Sequence, residues 1–85
     1  MKSMLQQWLQ RKATIEELEA EHLVNGIPFG FCNSEWNDLK SKIQAGDELW
    51  TFSSPPEDWD RLMGMEGIAL VRGGVIVESF ITALN

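Results

Sequence analysis

The stretch Ile68–Leu84, IALVRGGVIVESFITAL, decides how this chain is built. Two runs rich in Ile and Val flank Gly73–Gly74, and glycine accepts the positive φ that a two-residue hairpin turn demands. Ile68–Arg72 therefore reads as one strand and Val75–Leu84 as its returning partner. Two-residue hairpin geometry sets Arg72 opposite Val75, Leu70 opposite Val77 and Ile68 opposite Ser79 on one face. The other face pairs Val71 with Ile76 and Ala69 with Glu78. The first face, with Ile68, Leu70, Val77 and Ile81, is expected to meet the core. The second holds Val71, Ile76 and Phe80, which is more apolar than a solvated face requires. A helix or a second subunit is expected to cover it.

An isolated hairpin is marginal in water, so the residues upstream must supply the rest of the fold. Glu48–Phe52 (ELWTF) is aromatic and β-branched and reads as a third strand. Ser54-Pro55-Pro56-Glu57 follows, with serine at N-cap, proline at N1 and glutamate at N3 of a short helix. Its apolar stripe is Trp59, Leu62 and Met63, and Gly64 ends it. Ser34 reads as the N-cap of another helix, with Trp36, Leu39 and Ile43 on one face and Gly46 as its stop. Ile27–Cys32 reads as an extended connector whose Phe29 and Phe31 plug the core. Ser3–Val24 reads as helical, with Leu5, Trp8, Leu9, Ile15, Leu18 and His22 at helical spacing. Ser3 with Gln6 and Thr14 with Glu17 both fit capping boxes. The segment is thus one long helix, or two broken near Lys12–Ala13, ended by Asn25–Gly26. The expected architecture is a single α+β domain over residues 1–85. It has a three-stranded antiparallel sheet, the C-terminal β-hairpin plus one flanking strand, with two to four helices packed mainly on one face.

Charge narrows the choice of partner. Thirteen acids face seven bases, giving a formal net charge of −6 over 85 residues. A field of that sign repels phosphate backbones and anionic lipid head groups, so neither nucleic acid nor a membrane surface is an expected partner. A basic protein partner is electrostatically favoured. The single cysteine, Cys32, excludes an intrachain disulfide, and small secreted domains usually carry several. Gln6, Gln7 and Gln10 interrupt any apolar leader, so the expected location is cytoplasmic.

The candidate sites are few. His22 and Cys32 match no zinc spacing, and Glu57, Asp58 and Asp60 lack the glycine and later glutamate of a calcium loop, so no metal is expected. No cofactor is expected either, because Gly64-Met65-Glu66-Gly67 opens a strand and carries no following Lys-Ser/Thr. Cys32 close to a helix start, with His22 as base, is the sharpest catalytic arrangement available. A cysteine in an apolar run is more often a small buried hydrophobe. Glu17 and Glu21, on an acidic helix with Glu16 and Glu19, are candidates for docking a basic partner. Trp50 and Trp59 flank the Ser53–Pro56 loop and are candidates for an exposed aromatic cluster, since tryptophan is enriched at interfaces. Phe80, on the second sheet face, is the remaining protein-binding candidate. The reading that results is a small acidic protein-binding or accessory module rather than an enzyme. Its alternatives are a homo-oligomeric structural protein, or a small ligand-binding domain or enzyme using Cys32 and His22.

Overall fold

In the computed structural model, which describes residues 4–84, the chain begins with α1 (Met4–Gln7), β1 (Leu9–Ala13) and α2 (Ile15–Glu21). A small ribbon follows, β2 (Leu23–Val24) and β3 (Ile27–Pro28), then a 3-10 turn (Gly30–Cys32) and α3 (Asn33–Ser41). The remainder is β4 (Glu48–Ser53), α4 (Pro56–Asp60), β5 (Met65–Arg72) and β6 (Val75–Leu84). The main sheet is antiparallel with four strands in the order β1-β4-β5-β6, and β2 and β3 form a separate two-stranded sheet. The expected three-stranded sheet is therefore corrected by one strand and an extra ribbon.

The additional strand lies inside the segment that reads as helical. Leu9 sits opposite Phe52 and Ala13 opposite Leu49, so β1 fills the free edge of β4. Its residues are good helix formers, but ordinary residues differ in helix propensity by only about 0.7 kcal/mol or less, and a sheet edge offers a row of hydrogen bonds. Thr14 ends the strand and starts α2. Its backbone is extended, its side chain accepts from Glu17 N, and the Glu17 carboxylate accepts from Thr14 N. That capping box was legible in the sequence; the proposed one at Ser3 lies outside the described residues. Asn25 and Gly26 (φ 51° and 78°) form the turn of the ribbon rather than a helix cap. Ser54 does not cap α4. It is buried, and its Oγ accepts from Met65 N, which ties β4 to β5.

The hairpin turns at Gly73–Gly74 as its sequence dictates, and Arg72 faces Val75 and Val71 faces Ile76. One residue further the register slips. Leu70 faces Glu78, Ala69 faces Ser79 and Ile68 faces Phe80, with an irregularity between Leu70 and Val71 and another between Glu66 and Gly67. An extra residue in one strand moves every later side chain to the opposite face. Val77 and Ile81, expected in the core, are exposed, whereas Phe80 turns inward. Gly67 makes the second irregularity possible, because a Cβ there would lie 2.0 Å from the Phe80 carbonyl oxygen.

The core divides by sheet face. On one side α2, α3 and the 3-10 turn bury Leu18, Phe29, Trp36 and Leu39 against Leu49, Ile68, Leu70 and Phe80. Each such side chain contributes about 1.5–3 kcal/mol by leaving water. Phe29 is the hub, with ring centroids 4.4 Å from His22, 4.8 Å from Trp36 and 5.3 Å from Phe80. On the other side Phe52, Ala69 and Val71 are buried under Trp8, Leu9, Trp50 and Ile76. Gln6 Nε2 donates to Gly74 O at 2.6 Å, so the N-terminal segment reaches the hairpin turn. The second sheet face is thus covered by the chain's own residues. The loop before β4 is fixed by Asp47, whose nearly buried carboxylate takes a two-pronged contact from Arg72 at 2.9 and 2.8 Å.

Candidate functional site

One uncovered apolar surface is built by a reversal after the ribbon. Phe29 N donates to His22 O at 2.7 Å, which closes the ribbon onto the end of α2. Phe29 and Gly30 then both adopt left-handed backbone, φ 64° and 52°. A bulky residue in that region is strained by about 1–3 kcal/mol and persists only where its surroundings enforce it. Here the Phe29 ring is held among His22, Trp36 and Phe80. Space is also tight at position 30, since an added Cβ would come within 3.1 Å of the Val24 side chain, which would have to give slightly. Cys32 N donating to Phe29 O and Asn33 Nδ2 donating to Pro28 O lock the turn on its far side. The result is that Phe29 and Cys32 point inward while Phe31 points out.

Phe31 is 95% exposed. The sequence reading placed it in the core beside Phe29, and the left-handed pair at 29–30 is what separates them. Around it lie the exposed side chains of Leu23, Val24, Ile81 and Leu84. Phe31 stands as a ridge between two grooves. One, of about 360 Å³, is walled by His22, Leu23, Val24, Phe29 and Cys32. The other, of about 270 Å³, is walled by Cys32, Ile81 and Leu84. A third groove of about 210 Å³ adjoins the first at Glu21, His22 and Thr82. Its lining is mixed: Gln10, Arg11, Thr51, Ser53 and Glu66 stand beside Phe52, Gly67 and Ile68.

The sequence-based candidates are distributed around this region. Glu21 lines the shared wall and pairs with Arg11 at 2.6 Å. Glu17 is engaged in the Thr14 capping box, and its hydrogen bonds there hold its carboxyl below the usual range. Glu19 accepts from Lys40 Nζ and Trp36 Nε1, both at 2.8 Å, and the same bonds lower its pKa. The acidic face of α2 is thus largely committed to intramolecular contacts. Trp50 is half-buried on the second sheet face and donates from Nε1 to Glu48 Oε1. Trp59, on α4, donates from Nε1 to Ser53 Oγ and packs its ring against Gly64. Phe80 is in the aromatic core. Phe31 was missed as a surface residue, although Phe-Gly-Phe carries a signal: a glycine between two aromatics can turn them to opposite sides.

Cys32 and His22 line the same groove. Burial, and then the nearby Glu35 charge, push the Cys32 thiol pKa up, and Sγ lies 3.7 Å from Ile81 O as donor. His22 Nδ1 is 2.9 Å from Leu18 O, and its ring is stacked on Phe29. The surroundings therefore favour the neutral thiol over the nucleophilic thiolate. Among the described residues no group of three or more His, Cys, Asp or Glu is placed to hold a metal ion. Among them, too, no helix is long and apolar enough to cross a membrane. No family model, curated protein or solved structure matches this chain.

Proposed function

We propose that this chain is a small protein-binding module that docks a basic partner segment across the Phe31 ridge. The observation that carries this reading is a 95% exposed phenylalanine on a hydrogen-bonded turn, set among exposed Leu23, Val24, Ile81 and Leu84. Contiguous apolar surface rimmed by polar residues marks interaction sites on soluble domains, and aromatic anchors dominate their energetics. The partner's chemistry follows from charge. A second copy would bring another net charge of −6 to the contact. A segment with apolar anchors and basic flanks would be attracted instead.

The test is selection of random 12-residue peptides, by display, on the full chain and on a Phe31→Ala variant. Because Phe31 makes little of the core, the variant should melt within a few degrees of the parent. Peptides that bind the parent and lose at least about tenfold on Phe31→Ala, which is about 1.4 kcal/mol, support the reading. Peptides indifferent to Phe31, or no enrichment at all, overturn it. Sedimentation equilibrium addresses the other occupant: a dimer abolished by Phe31→Ala would replace the basic partner with a second copy.

A further inference from the structure

We infer that the third groove, beside the Phe31 surface, is an arginine-side-chain subsite, which seats a guanidinium adjacent to the partner's apolar anchor. The inference rests on the protein-binding reading and specifies what the partner must carry. It starts from what the groove offers. Thr51 Oγ1 lies 3.5 Å from Arg11 O, Ser53 Oγ 3.4 Å from Ser54 O and Thr82 Oγ1 3.3 Å from Glu66 O, each hydroxyl as donor. A hydroxyl has one proton, so with that proton turned to the backbone Thr51 and Thr82 present lone pairs, whereas Ser53 Oγ already accepts from Trp59 Nε1. Glu21 and Glu66 are acceptor-only carboxylates on the same rim. Arg11 and Gln10 bring donors to the same lining, and Arg11 already occupies Glu21, so the acceptors left open are Glu66 and the Thr51 and Thr82 hydroxyls, which a group that only donates would meet. Guanidinium has five N–H donors, no acceptor, and a planar shape suited to a groove.

Two further features fit. Arg11 bonds Glu21 at 2.6 Å, so a guanidinium fits this rim and Glu21 is already occupied by one. Glu66, by contrast, makes no salt bridge with any of the described residues. The shared wall of Glu21, His22 and Thr82 joins this groove directly to the apolar one. A partner side chain packed against Phe31 and an arginine a few residues along would reach both.

The probe is N-acetyl-arginine amide, titrated into the full chain and followed by amide chemical shifts. Saturable shifts are expected at Thr51, Ser53, Glu66 and Thr82, in the millimolar range typical of such fragments. The isosteric but neutral citrulline analogue should not produce them. Glu66→Gln should weaken the arginine fragment at least about threefold, the scale of one exposed charge pair. Arg11→Ala, which frees Glu21, should strengthen it. Shifts shared equally by citrulline, insensitivity to Glu66→Gln, or no saturable shifts at these residues would overturn the subsite. The protein-binding reading is decided separately by Phe31→Ala and the selected peptides, so either idea can fail alone. If the peptides bind through Phe31 but show no arginine preference, only the subsite is lost.

Discussion

The chain contains two hairpins made with the same device and put to opposite uses. In the ribbon β2–β3, Asn25 and Gly26 turn at φ 51° and 78°; in β5–β6, Gly73 and Gly74 turn at 58° and 80°. The long hairpin is embedded in the sheet, with Ala69 and Leu70 wholly buried. The short one leaves Leu23, Val24 and Ile27 in solvent. Turn chemistry therefore settles that the chain reverses and leaves open whether its strands are buried. Burial comes from neighbours: β5 has β4 on its other side and helices across one face, whereas two-residue strands have no such company. The ribbon is held instead by backbone bonds to its flanks and by the Phe29 ring.

The largest contrast is expected between side chains of the two hairpins. Phe80→Ala should destabilise the fold by about 3–5 kcal/mol, because it empties the space beside Phe29 and Trp36. Ile27→Ala should change it by no more than about 0.5 kcal/mol in the same urea titration. Equal losses would end the distinction. Gly67→Ala should cost about 1–3 kcal/mol through overpacking against the Phe80 carbonyl, and an unchanged urea midpoint would show that the strand irregularity is adaptable. At the turns, Gly74→Ala should lower global stability by about 1 kcal/mol from backbone strain alone, as nothing lies within 4 Å of the added methyl. Gly26→Ala carries similar strain, but should appear mainly as faster hydrogen exchange of ribbon amides, since the ribbon can open on its own. Matched global losses would mean that ribbon and sheet unfold together.

The remaining effect is confined to acid. Contact with Arg72, aided by the Gln44 backbone, lowers the Asp47 pKa from the usual 3.8 to about 2. The unfolded chain therefore binds this proton at a higher pH than the folded one. The stabilisation is in full force above about 3.8 and fades as pH falls through about 2. Over that window the melting temperature of the parent should fall more steeply than that of Asp47→Asn. Parallel curves would remove the Asp47–Arg72 pair, which anchors the long hairpin, from the acid response.

The same two hairpins show what a sequence can disclose. The bounds Val75–Leu84 and the Gly73–Gly74 turn are written in β-branched runs and in glycine's conformational freedom. The register slip is not, because an irregularity replaces no residue type and leaves the alternation intact on paper. β1 was hidden for a related reason. Leu9–Ala13 has helix-forming composition, and only the distant β4 makes it a strand, although the Thr14–Glu17 box marked the place where a helix begins. Of the proposed docking region, Glu21 was legible as an exposed acid. Phe31 was not, since apolar neighbours in sequence suggest burial and the left-handed pair at Phe29–Gly30 arises from tertiary packing. Arg11, Thr51 and Glu66 meet only because the sheet brings their strands side by side.

Time enters through the order of strands. β5 and β6 are joined by two residues and β4 lies just before them, so their pairings close short loops. β1 must find β4, with Leu9 meeting Phe52 across most of the intervening chain. At a synthesis rate of about 5–20 residues per second, residue 52 follows residue 9 by roughly 2–9 s. Throughout that interval the segment has no strand to join, and its composition lets it sample helical turns. Of the sheet's two outer strands, β1 is therefore the first to be made and the one kept longest in waiting.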